Sequence, residues 1–239
     1  MTSATIKAIT FDLDDTLWDI NPVLHRAEQA VDDWLAIEAP ELAKHYDQDR
    51  LRALKFSIYQ QRPDLAHQIS ELRIVAMTQA LIASGYEQAR AVQLAQQAFE
   101  VFIDARHQVN LYTEVEPLLG ALKPHYKLGA LTNGNANVER LSINHYFDFA
   151  FSAEQLNASK PAADHFIAAQ HAANCTADQI IHIGDHPDHD IQAAIDAGCH
   201  AIWYNPQGLV WPNPSPVSAE VQSLAELLTL IQAIDKQRG

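Results

Sequence analysis

The chain has 239 residues, of which 48% are apolar and 8% aromatic, with 30 acidic side chains against 16 basic ones for a formal net charge of −14. That length holds one sizeable core or a core plus a smaller domain. The acidic balance argues against nucleic acid as a partner, because phosphate backbones are bound by basic surfaces. No apolar run reaches the length of a membrane span, so no membrane association is expected, and the opening M-T-S-A-T-I-K lacks a signal-peptide shape. Cys175 and Cys199 have no C-x-x-C spacing. Reduced thiols in a cytoplasmic protein are the expectation.

The first element, Ile6 to Leu13, is short, apolar and β-branched, which predicts a buried parallel strand. It ends in Asp12, Asp14 and Asp15, with Thr16 just behind. Carboxylates crowded at a strand end repel one another and need a cation. Asn21-Pro22 then reads as an N-cap followed by proline at the first helical position. Helices are expected over about 23–37, 48–61, 64–83 and 87–106, with nothing strand-like before about residue 126. Residues 18–109 are therefore read as an all-helical insertion, and 1–17 with 110–239 as the core that it interrupts.

From Val115 the texture becomes βαβ. A helix containing Leu118, Leu119 and Leu122 precedes a strand over 126–131, which delivers Thr132-Asn133-Gly134-Asn135. Another helix is expected next, then a short strand over 147–151. Ser159-Lys160-Pro161 leads into a helix through Phe166, and 179–183 is a buried strand delivering Asp185-His186-Pro187-Asp188-His189-Asp190. A helix over 191–197 ends at Gly198, and 200–204 is the last core strand. A proline-rich surface loop from Trp211 and a helix over about 219–234 close the chain. Alternating strands and helices imply an α/β fold, a Rossmann-like parallel sheet with helices on both faces. The insertion would hang over the ligand-binding edge of that sheet as a cap.

Four strand-end clusters now stand together: D-x-D-x-T at Asp12, apolar-T-N-G at Thr132, S-K-P at Lys160, and G-D-x-x-x-x-D at Asp185. In that order they resemble the four signature motifs of the haloacid dehalogenase (HAD) superfamily of phosphatases. The runs F-D-L-D-D-T-L-W-D and T-N-G-N-A look most like its bacterial flavin mononucleotide phosphatase branch. The resemblance implies a Mg²⁺-dependent phosphomonoesterase. Asp12 would be the nucleophile, forming an aspartyl-phosphate, and Asp14 the general acid and base. Asp14 also points away from the dehalogenase branch, which lacks it. Asp12, Asp185 and the Asp14 main-chain carbonyl would hold the ion. Thr132, Asn133 and Lys160 would bind the phosphoryl group, with Asp190 and Thr16 behind them, and Asp190 has an alternative role as a helix cap. A residue before proline favours an extended backbone, which would aim Lys160 out of the strand end.

The implied partner is a small phosphorylated metabolite: flavin mononucleotide or a phosphorylated riboflavin precursor, with nucleotide or sugar phosphates as the alternative. Trp18, Trp34, Phe56 and Tyr59 are aromatics that could stack on a planar ring; Trp18 is the expected substrate contact, and packing in the core of the insertion is the better reading for most of the rest. Two other function classes are open to the same residues. His182, His186 and His189 around Asp185 would suit a His/Asp metallohydrolase, although this leaves Asp12, Asp14 and Lys160 unused and His182 reads as a core residue. A phosphoacceptor signalling module gathers similar residues, but such modules are about half this length and carry no such insertion.

Overall fold

The computed structural model describes residues 5–213, 217 and 219–236. Within them the chain divides into two compact units, Met1–Asp19 with Asn110–Gly239, and Ile20–Val109.

The first unit is built on a six-stranded sheet in the order β3-β2-β1-β4-β5-β6, with every neighbouring pair parallel. The strands are β1 Ala8–Phe11, β2 Lys127–Thr132, β3 Phe149–Ser152, β4 Ile180–Gly184, β5 His200–Tyr204 and β6 Ala219–Val221. β1 is buried on both faces, as its unbroken apolar run requires, and pairs Phe11 with Ala130 on one side and Ile183 on the other. The Asp12 N–H donates to the Ile183 carbonyl at 2.9 Å, carrying the ladder one residue past β1. Strand order runs outward from β1 in both directions, so the topological switch lies at its carboxyl end, where open α/β sheets bind ligands. Helices α6 Val115–Leu122, α7 Ala153–Leu156, α8 Asp164–Ala173, α9 Ala193–Asp196 and α10 Leu227–Lys236 belong to this unit.

The second unit is all-helical: α1 Ile20–Glu38, α2 Pro40–His45, α3 Gln48–Gln61, α4 Ile69–Ala83 and α5 Gln88–Arg106. α1 buries Val23, Ala27, Val31 and Leu35, one residue per helical turn. Ala27, Val31 and Leu35, with Leu94, Ala98 and Phe102 of α5 and Leu81 of α4, form the core of this unit. None of the described helices is long and apolar enough to cross a membrane.

Several expectations are corrected. α1 begins at Ile20, so Asn21 sits in its first turn and is not the cap. The helix expected over 64–83 is a 3₁₀ turn at Pro63–Leu65 followed by α4, because Pro63 starts a turn that stops at Ala66. No α-helix stands between Asn135 and β3. Single 3₁₀ turns at Val138–Arg140 and Asn144–Tyr146 stand there, since Asn137 bonds the N–H of Glu139 and forces a tight turn. Residues 219–221 form an edge strand beside β5, and Ser223 and Glu226 then make a capping box that delays the last helix to Leu227. Trp211 is not simply loop surface: its ring meets Trp203 edge-on at 5.2 Å. Pro214 to Pro216 of that loop lie outside the described residues.

Gly129 of β2 has no room for a side chain, since a Cβ there would stand 2.1 Å from the Phe149 ring. Gly129→Ala should cost about 1–3 kcal/mol in urea unfolding, the usual price of overpacking. An unchanged midpoint would show that Phe149 yields freely.

Candidate active site

The carboxyl ends of β1, β2 and β4 bring four chain segments together around one ammonium group. Lys160 Nζ donates to Asp12 Oδ1 at 2.7 Å, Asp190 Oδ1 at 2.5 Å and the Leu131 carbonyl at 2.6 Å, which uses all three of its protons. Lys160, Asp12 and Asp190 are all buried. The lysine backbone is clamped by the Asn133 side chain, whose Nδ2 donates to the Lys160 carbonyl at 2.9 Å while its Oδ1 accepts the Lys160 N–H at 2.8 Å. Asn133 thus spends its amide on positioning Lys160, not on an open phosphate-binding face. The Lys160–Pro161 bond is cis.

Asp190 is fixed at both oxygens. Oδ1 meets Lys160 and, at 3.5 Å, His182 Nε2, while Oδ2 accepts the His186 N–H at 2.9 Å. The Asp190 carboxyl packs against Gly184, where a Cβ would stand 2.4–2.5 Å from its atoms. The glycine of the G-D pair is therefore required by close approach. The helical segment carrying Asp190 starts as a π-helix, Pro187–Gln192, and continues into α9, a geometry common at functional sites. His182 is a core histidine as expected, hydrogen-bonded to Thr10 Oγ1 at 2.9 Å and set edge-on to Phe166.

Asp185 is held from two sides. Thr16 Oγ1 donates to its Oδ1 at 3.1 Å, and Trp203 Nε1 donates to its main-chain carbonyl at 2.8 Å. Asp14 accepts the Trp18 indole N–H at 2.9 Å. Trp18 is completely buried, so it aims Asp14 and offers no stacking surface; the expected substrate contact is replaced by this role. Trp34 packs in the helical core as anticipated, whereas Phe56 and Tyr59 are exposed on α3 and pack in no core. Thr132 is buried, its Oγ1 accepting the Gly134 N–H at 2.9 Å and its carbonyl facing His165 Nε2 at 3.2 Å.

The electrostatics follow from burial. Burial raises the Asp12 pKa well above the carboxylate range, with Asp190 and Asp185 adding to the rise and Lys160 opposing it. Burial, then Asp190 and Asp15, push Asp185 up to about 7. Burial also works against ionised Asp190, but Lys160 and His182 outweigh it and hold its pKa well below the usual range. For Lys160, Asp12 and Asp190 outweigh burial and keep the ammonium charged. Were all three carboxylates ionised, they would outnumber the one ammonium by 3 − 1 = 2 charges, and it is burial, with this crowding, that raises Asp12 and Asp185 in the absence of a cation. Oxygens of Asp12, Asp185 and Asp190 lie within 4.8 Å of one another. An all-oxygen set crowded in this way suits a hard divalent ion such as Mg²⁺. Asp190 joins the cluster that the sequence assigned to Asp12, Asp14 and Asp185, but both its oxygens are already engaged. No histidine belongs to it: His186 Nδ1 accepts the N–H groups of Asp188 and His189, and its ring stacks on His189 at 4.0 Å.

The chain matches the haloacid dehalogenase-like hydrolase family over residues 6–198. It belongs to that family. Among curated relatives it is 30% identical over 230 residues, covering 95% of this chain and 96% of the relative, to the 5-amino-6-(5-phospho-D-ribitylamino)uracil phosphatase YigB of Escherichia coli (strain K12). It is 26% identical to the human N-acylneuraminate-9-phosphatase, covering 96% of this chain and 95% of that one. Among solved structures, one described as a 2-haloacid dehalogenase from Pseudomonas syringae pv. Tomato DC3000 superposes with a TM-score of 0.91 at 43% identity, covering 96% of this chain and 99% of the other.

Gly184, His165 and Trp203 were not singled out as site residues by sequence reading. The G-D pair is a visible signal for the first; the others lie on elements that read as core. His165 is completely buried, and burial together with Lys160 lowers its pKa to about 4. The unfolded chain takes up this proton near pH 6.5, as a free histidine does. Between about pH 6.5 and about pH 4 the unfolded state therefore binds more protons, and stability falls as pH falls. His165→Gln keeps a donor for Thr132 without the titration. Its urea midpoint should drop less than that of the native chain across this window, and parallel curves would contradict the assignment.

Proposed function

We propose that this HAD-family phosphatase is a Mg²⁺-dependent phosphomonoesterase that works through an aspartyl-phosphate at Asp12. The observation that carries the reading is the Lys160 hub. It engages Asp12 Oδ1 and leaves Oδ2 without a hydrogen bond among the described residues, beside the carboxylates of Asp185 and Asp190. Mg²⁺ held by Asp12, Asp185 and the Asp14 carbonyl would neutralise those charges and keep Asp12 ionised against the substrate's own negative charge. Asp12 attacks phosphorus, and the bond from phosphorus to the alcohol oxygen breaks. Asp14, aimed by Trp18, gives its proton to that oxygen. Asp14 then takes a proton from water, the water oxygen attacks phosphorus, and the Asp12–phosphorus bond breaks to release inorganic phosphate. The nearby positive charge of Lys160, with backbone N–H groups of the Thr132 segment, would offset the charge of the phosphoryl oxygens.

For the substrate we propose a phosphorylated riboflavin precursor or flavin mononucleotide. The support is the motif resemblance together with the near full-length similarity to the E. coli ribitylaminouracil phosphatase. The inserted helical unit is the proposed source of that choice, since the sheet unit is built to meet only the phosphoryl group. The free thiols of Cys175 and Cys199 fit a reducing, cytoplasmic setting.

Haloacid dehalogenation is the second reading, favoured by the description of the 43% identical structure. That reaction forms a carbon ester of the nucleophile and has no use for three crowded carboxylates or for a proton donor at Asp14. Phosphate release from a panel of phosphomonoesters and halide release from 2-haloacids should be measured side by side. The expected result is Mg²⁺-dependent phosphate release and no halide. Asp12→Asn should lower kcat by roughly 10⁴-fold or more, the scale of removing a nucleophile. Halide release without phosphate release would favour the second reading.

A further inference from the structure

The helical unit contains a cavity of its own, between α1, α3 and α4. It is lined by Lys55, Arg73 and Arg52, by Glu28 and Asp32, and by an apolar floor that includes Met77. Arg52 has counter-ions, Asp49 at 3.1 Å and Glu28 at 3.7 Å. Asp32 accepts the Gln48 side-chain amide at 2.6 Å. Lys55 and Arg73 have no hydrogen bond and no ion pair among the described residues, and both are half-buried. Arg73 lies over the Phe102 ring at 3.6 Å, which fixes its plane without satisfying its five N–H groups.

Two half-buried cations with their natural counter-ion taken up elsewhere carry part of a desolvation cost that no neighbour offsets. Among the described residues Glu28 is the carboxylate that favours the charge on both, and it already leans on Arg52. Burial accordingly lowers Lys55 to about 8 and Arg73 to about 10. An anion seated between them would supply the missing counter-charge.

We infer that this cavity is a second ligand site that binds a small oxyanion, a phosphate or carboxylate group, between Lys55 and Arg73. The fork of Arg73 offers paired donors to such a group, and Lys55 adds a point charge. The cavity of about 50 Å³ has room for roughly four water-sized groups at 10–15 Å³ each, which suits a headgroup and not a large ligand. The site lies wholly within the helical unit and does not depend on the reaction proposed for Asp12.

The test is calorimetric titration of the full chain with inorganic phosphate, and separately with acetate, at ionic strength held constant with chloride. Native protein and K55Q/R73Q are compared. Uptake at the catalytic residues occurs in both proteins and cancels. The native chain should take up one more equivalent of phosphate, of acetate or of both, and which it is identifies the chemistry of the headgroup. K55Q/R73Q should lose that equivalent while its turnover of a small aryl phosphate keeps the native kcat. Equal uptake by the two proteins, or no uptake of either anion by the native chain beyond the catalytic equivalent, would overturn the site. Should the double variant fail to fold, Lys55→Gln alone leaves the Arg73–Phe102 stack intact and should weaken the second affinity at least tenfold. Arg73→Lys keeps the charge and should retain part of it.

Discussion

The constraint on which the site depends is electrostatic: three carboxylates, Asp12, Asp185 and Asp190, share one sheet edge with a single buried ammonium. Lys160 has only three protons, and the structure spends them on Asp12, Asp190 and a carbonyl. Everything nearby serves to keep that arrangement from relaxing. Asn133 grips the lysine backbone, Gly184 makes room for the Asp190 carboxyl, Thr16 steadies Asp185, and Trp203 holds the Asp185 carbonyl. A buried ion network with an unmet charge is poor material for stability alone. It is well suited to drawing in a divalent ion and the phosphoryl group that such an ion accompanies.

Most of the chemistry was legible because it lies at strand ends, where short apolar runs hand over to polar clusters. Asp12, Thr132, Lys160 and Asp185 are named by the four motifs taken as a set, because a Thr-Asn-Gly or a lysine before proline alone reads as a turn or a surface residue; Lys160 itself stands after α7 and not at a strand end. What they do to one another could not be read that way. That Asn133 serves Lys160, or that Asp190 is a partner of the lysine and not just a helix cap, follows from contacts 27 and 30 residues apart in sequence. Trp18 is the clearest misreading. Its place beside the catalytic stretch suggested a stacking surface, but the loop turns back through Asp15, at a φ of 59°, and buries the indole against Asp14.

The fold was legible to a similar depth. Helices with one apolar residue per turn, such as α1 and α5, read correctly as helices, and the fully buried strands β1 and β4 as strands. The errors fall where local hydrogen bonding overrides periodicity: the Asn137 turn that removes a helix, and the Ser223–Glu226 box that postpones one. Edge strand β6 has only three residues, too few for any period to be seen. The lining of the helical-unit cavity likewise has no sequence signature, because Lys55 and Arg73 look like ordinary surface cations until α3 and α4 are packed.

The most direct test of the account is to quench the enzyme during turnover of a phosphomonoester with Mg²⁺ and weigh the peptide that carries Asp12. The account predicts that this peptide gains the mass of one phosphoryl group, at residue 12, and that the gain is absent in Asp12→Asn. Steady phosphate release with no phosphorylated peptide, retained by Asp12→Asn, would contradict it.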